Sequence, residues 1–164
     1  MTIRTAKVSN RRSLKLNTLE EILADVEFLD QAPVYSLGNW TPGQNLRHLT
    51  VLMLGCLDGI EVQVPFLTRA AVSLIKKRIL TRPMSPGLQL PRSASVLLPD
   101  ETSWEDGVQQ ICSALKRMQV EPQRLAHPVL GELTREQWDQ LHCRHCELHL
   151  SFLTHDPADS PSRR

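Results

Sequence analysis

The ten residues LHCRHCELHL, positions 141–150, hold three histidines and two cysteines. Imidazole and thiolate groups ligate zinc and other transition metals, and paired cysteines also serve redox exchange. Spacing separates these chemistries. On a helix each residue advances about 100°, so positions three and four apart share a face. Trp138, Leu141, His145, Leu148, His149 and Phe152 trace one such stripe. A helix packed on others turns its apolar stripe inward, so His145 and His149 are expected to face the core one turn apart, where two imidazoles can share an ion. His142 lies at the edge of the stripe, roughly 60° from His145.

Two ligands hold a metal weakly, so a third is expected from a facing helix. His48 is the candidate. It is set among Leu49, Leu52, Gly55 and Cys56, where burying an imidazole needs a reason and where the small Gly55 and Cys56 would let a neighbouring helix approach. The plain alternative is a hydrogen-bonded core histidine. Three neutral imidazoles leave coordination positions open for water or substrate, which suits catalysis better than a closed structural site. An ion there would lower the pKa of a water toward roughly 7 or activate a thiolate. No strong general base accompanies the set. Glu147 falls roughly 160° from both His145 and His149 on the helical wheel and is expected to face solvent. His142 and His127 are the candidates for proton carriers beside the site, and each also reads as an ordinary surface or loop residue.

The competing chemistries are weaker. Cys143 and Cys146 have the spacing of a dithiol redox pair, but that chemistry draws on the positive end of a helix, and this pair sits about nine residues into one, off the histidine stripe. A zinc site built on them would need Cys56 or Cys112 to approach. The four cysteines are therefore expected to be free thiols acting as small hydrophobes. Trp40, Trp104 and Trp138 are expected to be core or cap anchors rather than substrate-stacking residues.

The elements that must position these groups are punctuated clearly. Asn17 or Thr18, with Glu20 or Glu21 three residues on, opens a helix to about Asp30 along Leu19, Ile22, Leu23, Val26 and Leu29. Thr41-Pro42-Gly43-Gln44 opens a second to about Gly59, with Pro42 at the first helical position. Residues 66–80 read as a shorter basic helix. Residues 81–103 contain Pro83, Pro86, Pro91 and Pro99 and are expected to form a long loop without regular structure. Ser103 with Asp106 starts a helix to about Val120, and Thr134 with Gln137 starts the last, from Arg135 to about Leu153. No segment alternates as a strand would. The pattern predicts an all-α four-helix bundle with a short extra helix and a long Pro-rich loop between the second and third long helices.

Composition sets the outer bounds. The 164 residues suit one domain, expected over 1–154, with 155–164 a flexible polar tail. Aromatics are 4% of the chain, so aliphatic side chains must fill the core. The formal charge of +1, with both signs interspersed, points away from nucleic acid. Arg11-Arg12 has the look of a twin-arginine export signal, but Glu20, Glu21, Asp25 and Glu27 interrupt the apolar region such a signal needs. The longest apolar run, Leu49 to Leu57, falls short of the roughly 20 residues that span a bilayer. A soluble, cytoplasmic protein without membrane association is expected.

Three segments together resemble the DinB/YfiT-like superfamily. NWTPGQNLRHL, residues 39–49, is similar to the W-S-x-x-Q-x-L-x-H-L start of that superfamily's second helix; HCELHLSFL, 145–153, to its closing helix with two histidines one turn apart; and HPVLGELTREQW, 127–138, to the H-P-x-x-G-x-L-T-x-x-x-W signature of one uncharacterised branch. The resemblance runs from about Arg12 to Leu153. It implies a four-helix bundle, often dimeric, holding a divalent metal, nickel or zinc, on three histidines, which by motif are His48, His145 and His149. It also implies a metal-dependent hydrolase or a thiol-dependent S-transferase acting on a small-molecule substrate, with a low-molecular-weight thiol as cosubstrate in the second case. Where the branch commonly carries another histidine just before the last ligand, this chain has Leu148. A non-catalytic binding or structural bundle is the alternative. A homodimer is expected, because a bundle with a long loop often buries its remaining apolar face by pairing; a sedimentation mass near a single 18.6 kDa chain would count against it.

Overall fold

The computed structural model describes residues 2–62, 64–87 and 92–156, with residues 92 and 93 as backbone only. The described residues are mostly helical, in an all-α arrangement. Four long helices, α1 (Leu19–Leu29), α2 (Pro42–Asp58), α5 (Trp104–Val120) and α6 (Arg135–Leu150), are joined by two short ones, α3 (Phe66–Leu74) and α4 (Lys76–Thr81), between α2 and α5. α2 packs along α5 and against α6, and α1 touches both α5 and α6. The core they enclose is aliphatic, as the aromatic shortage requires: Ile22, Leu29, Leu46, Leu49, Ile111, Leu115 and Leu150 are among its fully buried side chains.

Each long helix starts where local hydrogen bonding dictates. The hydroxyl oxygens of Thr18, Thr41, Ser103 and Thr134 accept from the backbone N–H groups of Glu21, Gln44, Asp106 and Gln137. At α2 and α6 the Gln side chain reaches back to the cap's own N–H, so both capping boxes close. Pro42 at the start of α2 has no N–H to leave unsatisfied.

Four local expectations need correction. The basic helix predicted over 66–80 is broken at Ile75 (φ −107°, ψ 10°). The break lets α4 follow α6 and bury Leu80, while no residue of α3 is fully buried. The segment predicted to be irregular contains 3-10 turns over Arg92–Leu97, kinked at Ala94, because turns this short carry no periodic signal. α6 stops at Leu150, and Leu153–Thr154 then pairs antiparallel with Tyr35–Ser36 as β2 and β1. Finally, Gly55 admits no facing helix: the nearest atoms to a Cβ there are in the Ile60 side chain of the loop that follows. The close approach of helices is at Gly43 on α2 and Gly107 on α5 instead. The expected polar tail lies, from residue 157 on, outside the described residues.

The residues before α1 bind the outer side of α6. Arg12 pairs bidentately with Asp25 at 2.9 and 2.6 Å and reaches the Leu150 carbonyl, while Arg11 donates to Ser151 Oγ. Glu147, expected in solvent, is 7% exposed: its Oε1 accepts from Leu16 N–H at 2.7 Å and pairs with Arg144 at 2.6 Å. The wheel placed it correctly away from the histidines, but that side of α6 is covered by residues far upstream. Among the described residues, no helix is long and apolar enough to cross a membrane.

Candidate metal centre

α2 and α6 bring three imidazoles together. The ring centroids of His145 and His149 are 4.6 Å apart and those of His48 and His149 also 4.6 Å, with 5.1 Å between His48 and His145. One ring nitrogen from each lies within 4.8 Å of the others. Three nitrogens about 2.1 Å from a shared ion in tetrahedral geometry stand about 3.4 Å apart, so no pair needs to close by more than about 1.4 Å. His48 is buried, and His145 and His149 are half-buried.

The outer ring nitrogens show which atoms are free. His48 Nδ1 is 2.6 Å from the Leu97 carbonyl oxygen. A carbonyl only accepts, so Nδ1 carries the proton and Nε2 keeps its lone pair. His149 Nδ1 is 3.3 Å from Asn45 Oδ1. Asn45 in turn donates through Nδ2 to the carbonyls of Trp40 (3.4 Å) and Thr41 (3.0 Å), which turns its oxygen toward His149. Two of the three rings are thus held by hydrogen-bond acceptors in the manner of metal-ligating histidines, with Nε2 aimed away from the anchor. Asn45→Ala removes one anchor. It is expected to weaken metal binding about tenfold with little loss of helicity, read by competition with a chromogenic chelator.

All three rings are neutral at pH 7. Burial lowers the pKa of each: His149 to about 3, with His48 nearby adding to the effect; His145 well below its ordinary value, with His149 and His48 contributing next; and His48 downward despite its bond to Leu97. Neutral imidazole is the form that binds metal. The cluster of candidate ligands among the described residues contains no carboxylate and no thiol, so it is an all-nitrogen, uncharged donor set of the kind that suits zinc or nickel.

Trp40 was expected to be an anchor, and it also forms a wall of the cluster. Its ring stacks on His149 at 5.5 Å and 11° and lies 4.8 Å from His48. The pairing of β1 with β2, extended by Leu37 N–H donating to the Phe152 carbonyl at 2.9 Å, places it there. Trp104 and Trp138 do serve as anchors, donating to Asp30 and to the Leu125 carbonyl. Trp40 and Asn45 are the site residues that sequence reasoning missed. Asn45 had a signal, being a polar side chain three residues before His48 on a face that otherwise buries leucines.

The two further candidate imidazoles, His142 and His127, are not part of this cluster. His142 is 3% exposed, stacks on Trp138 at 5.4 Å, and its Nε2 has no hydrogen-bond partner among the described residues. His127 Nδ1 accepts from Val129 and Leu130 N–H at 3.0 and 3.1 Å inside a tight turn. Reciprocal His127–Gly131 backbone bonds close that turn, with Gly131 at φ 70°, where glycine is favoured. The HPVLG motif thus reads locally as a self-capped turn. The four cysteines are free, and Cys56, Cys143 and Cys146 lie in the core. Burial raises the Cys56 and Cys143 thiols to about 11 and Cys146 well above its ordinary value, so none of the three is a thiolate at neutral pH.

His142 makes stability sensitive to acid. Burial first, then Arg124 and His127, hold its pKa near 3, against about 6.5 in the unfolded chain. Between these values the unfolded state binds the extra proton, so stability falls as pH drops below about 6.5. At pH 5 the His142 contribution is about 2 kcal/mol. A His142→Phe chain, which keeps a ring against Trp138, is expected to lose correspondingly less between pH 7 and pH 5 in urea titrations.

A family model described as "Protein of unknown function (DUF1569)" matches residues 8–156. No curated protein and no solved structure matches the chain.

Proposed function

Because the chain belongs to the family of proteins of unknown function DUF1569, which brings no activity with it, we propose a function from the site: a divalent metal, zinc or nickel, held by His48, His145 and His149. The convergence of these three rings from two helices, with the outer nitrogens of His48 and His149 turned onto acceptors, carries this reading. When bound, the ion would supply Lewis acidity to a water or a thiol. The chain's own residues do the rest. Leu97 and Asn45 fix two ring tautomers, Trp40 walls the cluster, and the surrounding core keeps the imidazoles unprotonated. In this reading the four long helices form a DinB/YfiT-like four-helix bundle in a cytoplasmic, metal-dependent hydrolase or thiol-dependent S-transferase that acts on a small molecule.

The test begins with elemental analysis of protein purified without an affinity tag. About one zinc or nickel per chain is expected. Ester hydrolysis and thiol-plus-electrophile transfer are then screened with and without chelator; activity that disappears with the metal and returns on its readdition supports the enzyme. A metal-free chain that fails to bind added zinc or nickel would leave a non-catalytic helical scaffold. Cys143→Ala with Cys146→Ala serves as the control, since these core sulfurs lie outside the ligand cluster and metal content should not change. His142→Ala and His127→Ala should keep the metal, and a fall in turnover alone would give either a role in proton transfer.

A further inference from the structure

The near-neutral total charge conceals a strong local asymmetry. Between Glu61 and Asp100 the chain has no acidic residue and six cations. The first five, Arg69, Lys76, Lys77, Arg78 and Arg82, fall on or immediately beside α3 and α4. Lys76 donates to the Glu132 carbonyl. The other four form no ion pair among the described residues.

α3 carries the most exposed large apolar side chains among the described residues. α3 buries none of its residues, and Phe66, Leu67 and Leu74 are 78, 79 and 87% exposed. With Ala70 and Ala71 they occupy one arc of roughly 140°, and Arg69 flanks it about 60° from Phe66. Val72, on the other side, packs against the core, and α4 is anchored along α6 through buried Leu80. The apolar arc therefore points outward from the element that precedes the anchored α4, with unpaired cations beside it.

We propose that α3 and the start of α4 dock this protein on an anionic lipid surface, with Phe66, Leu67 and Leu74 entering the acyl boundary and Arg69, Lys77 and Arg78 meeting the headgroup phosphates. An apolar face flanked by cations is the pattern of an interfacial helix, and each basic residue near an anionic leaflet adds attraction. Two other occupants fit less well. A second copy related by a two-fold axis would set this acid-free segment against itself, like charge on like. A nucleic acid would meet the cations but leave the apolar arc uncovered. The mode is peripheral, since no described helix is long and apolar enough to cross a bilayer. The expectation of no membrane association weighed spanning and overall charge, and neither bears on an interfacial helix. The metal cluster takes no residue from α3 or α4, so this inference stands apart from the metal reading.

The test is co-sedimentation of the full chain with phosphatidylcholine vesicles, with and without about one-third phosphatidylglycerol. Binding to the anionic vesicles alone is expected, weakening as salt rises from about 0.1 to 0.5 M. Phe66→Ser with Leu74→Ser, and separately Lys77→Ala with Arg78→Ala, should each weaken it by about tenfold or more. These side chains are largely exposed, so circular dichroism should show unchanged helicity. His149→Ala should bind vesicles as the parent chain does. Equal binding to neutral vesicles, no binding at low salt, or variants that bind undiminished would overturn the proposal. So would binding to a DNA duplex but not to vesicles, lost with Lys77→Ala and Arg78→Ala. A dimer that dissociates on Phe66→Ser with Leu74→Ser would instead assign the face to a second copy.

Discussion

His145→Ala and His149→Ala are each expected to weaken zinc or nickel binding by at least about 100-fold, more than the 10–100-fold typical of losing a supporting residue around a metal. Either substitution leaves one imidazole on α6 and one on α2, and two nitrogens are a poor site for an ion that takes four ligands. The helices should persist: both rings are half-buried, the core beneath is aliphatic, and Ala favours a helix. His48→Ala should lose metal equally but also cost stability, because it removes a buried side chain and leaves the part-buried Leu97 carbonyl without its donor. Chelator competition with circular dichroism on the same samples separates the two effects. Metal retained at parental affinity in all three variants would place the ion elsewhere.

Gly43→Ala is expected to destabilise the chain by about 3 kcal/mol, which for a domain of this size lowers Tm by roughly 6–12 °C. A Cβ at Gly43 would stand 2.2 Å from the Thr102 carbonyl oxygen and 2.4 Å from that of Ser103. Both obstacles are backbone, in the segment that caps α5, and cannot rotate away. Gly107 faces the same contact, its Cβ position 3.2 Å from the Gly43 carbonyl oxygen. Gly55→Ala is the instructive comparison. Its nearest obstacle, at 2.4 Å, is the terminal methyl of Ile60, which can turn aside, so the loss should be much smaller. Since His48 rides on α2 one turn beyond Gly43, metal affinity is expected to fall with stability in Gly43→Ala alone. Thermal unfolding of the two variants side by side decides the matter.

How much of this was readable in the residues depended on the range of the interaction. All four long helices begin at a cap visible in the sequence, because a cap is a bond between residues three apart. His145 and His149 were paired by the helical repeat alone, and His48 stood out as an imidazole among leucines on α2. The miss at Gly55 has the same origin. Smallness is written in the sequence, but which small residue meets another backbone depends on how helices cross.

The placement of Glu147 makes the boundary sharper. The helical wheel turned it away from the histidines correctly, yet solvent did not follow, because Leu16, 131 residues upstream, donates its N–H to it. Trp40 was legible as a helix-flanking aromatic; that it stacks on His149 follows from β1 pairing with β2 across the chain. The amino-acid sequence alone thus determined where the four long helices start and which imidazoles share a face, since both follow from backbone geometry within a turn or two. Tertiary structure decided which nitrogen of His48 and of His149 is free, because the acceptors that hold their protons lie 49 and 104 residues away along the chain, and only folding brings them within hydrogen-bond reach.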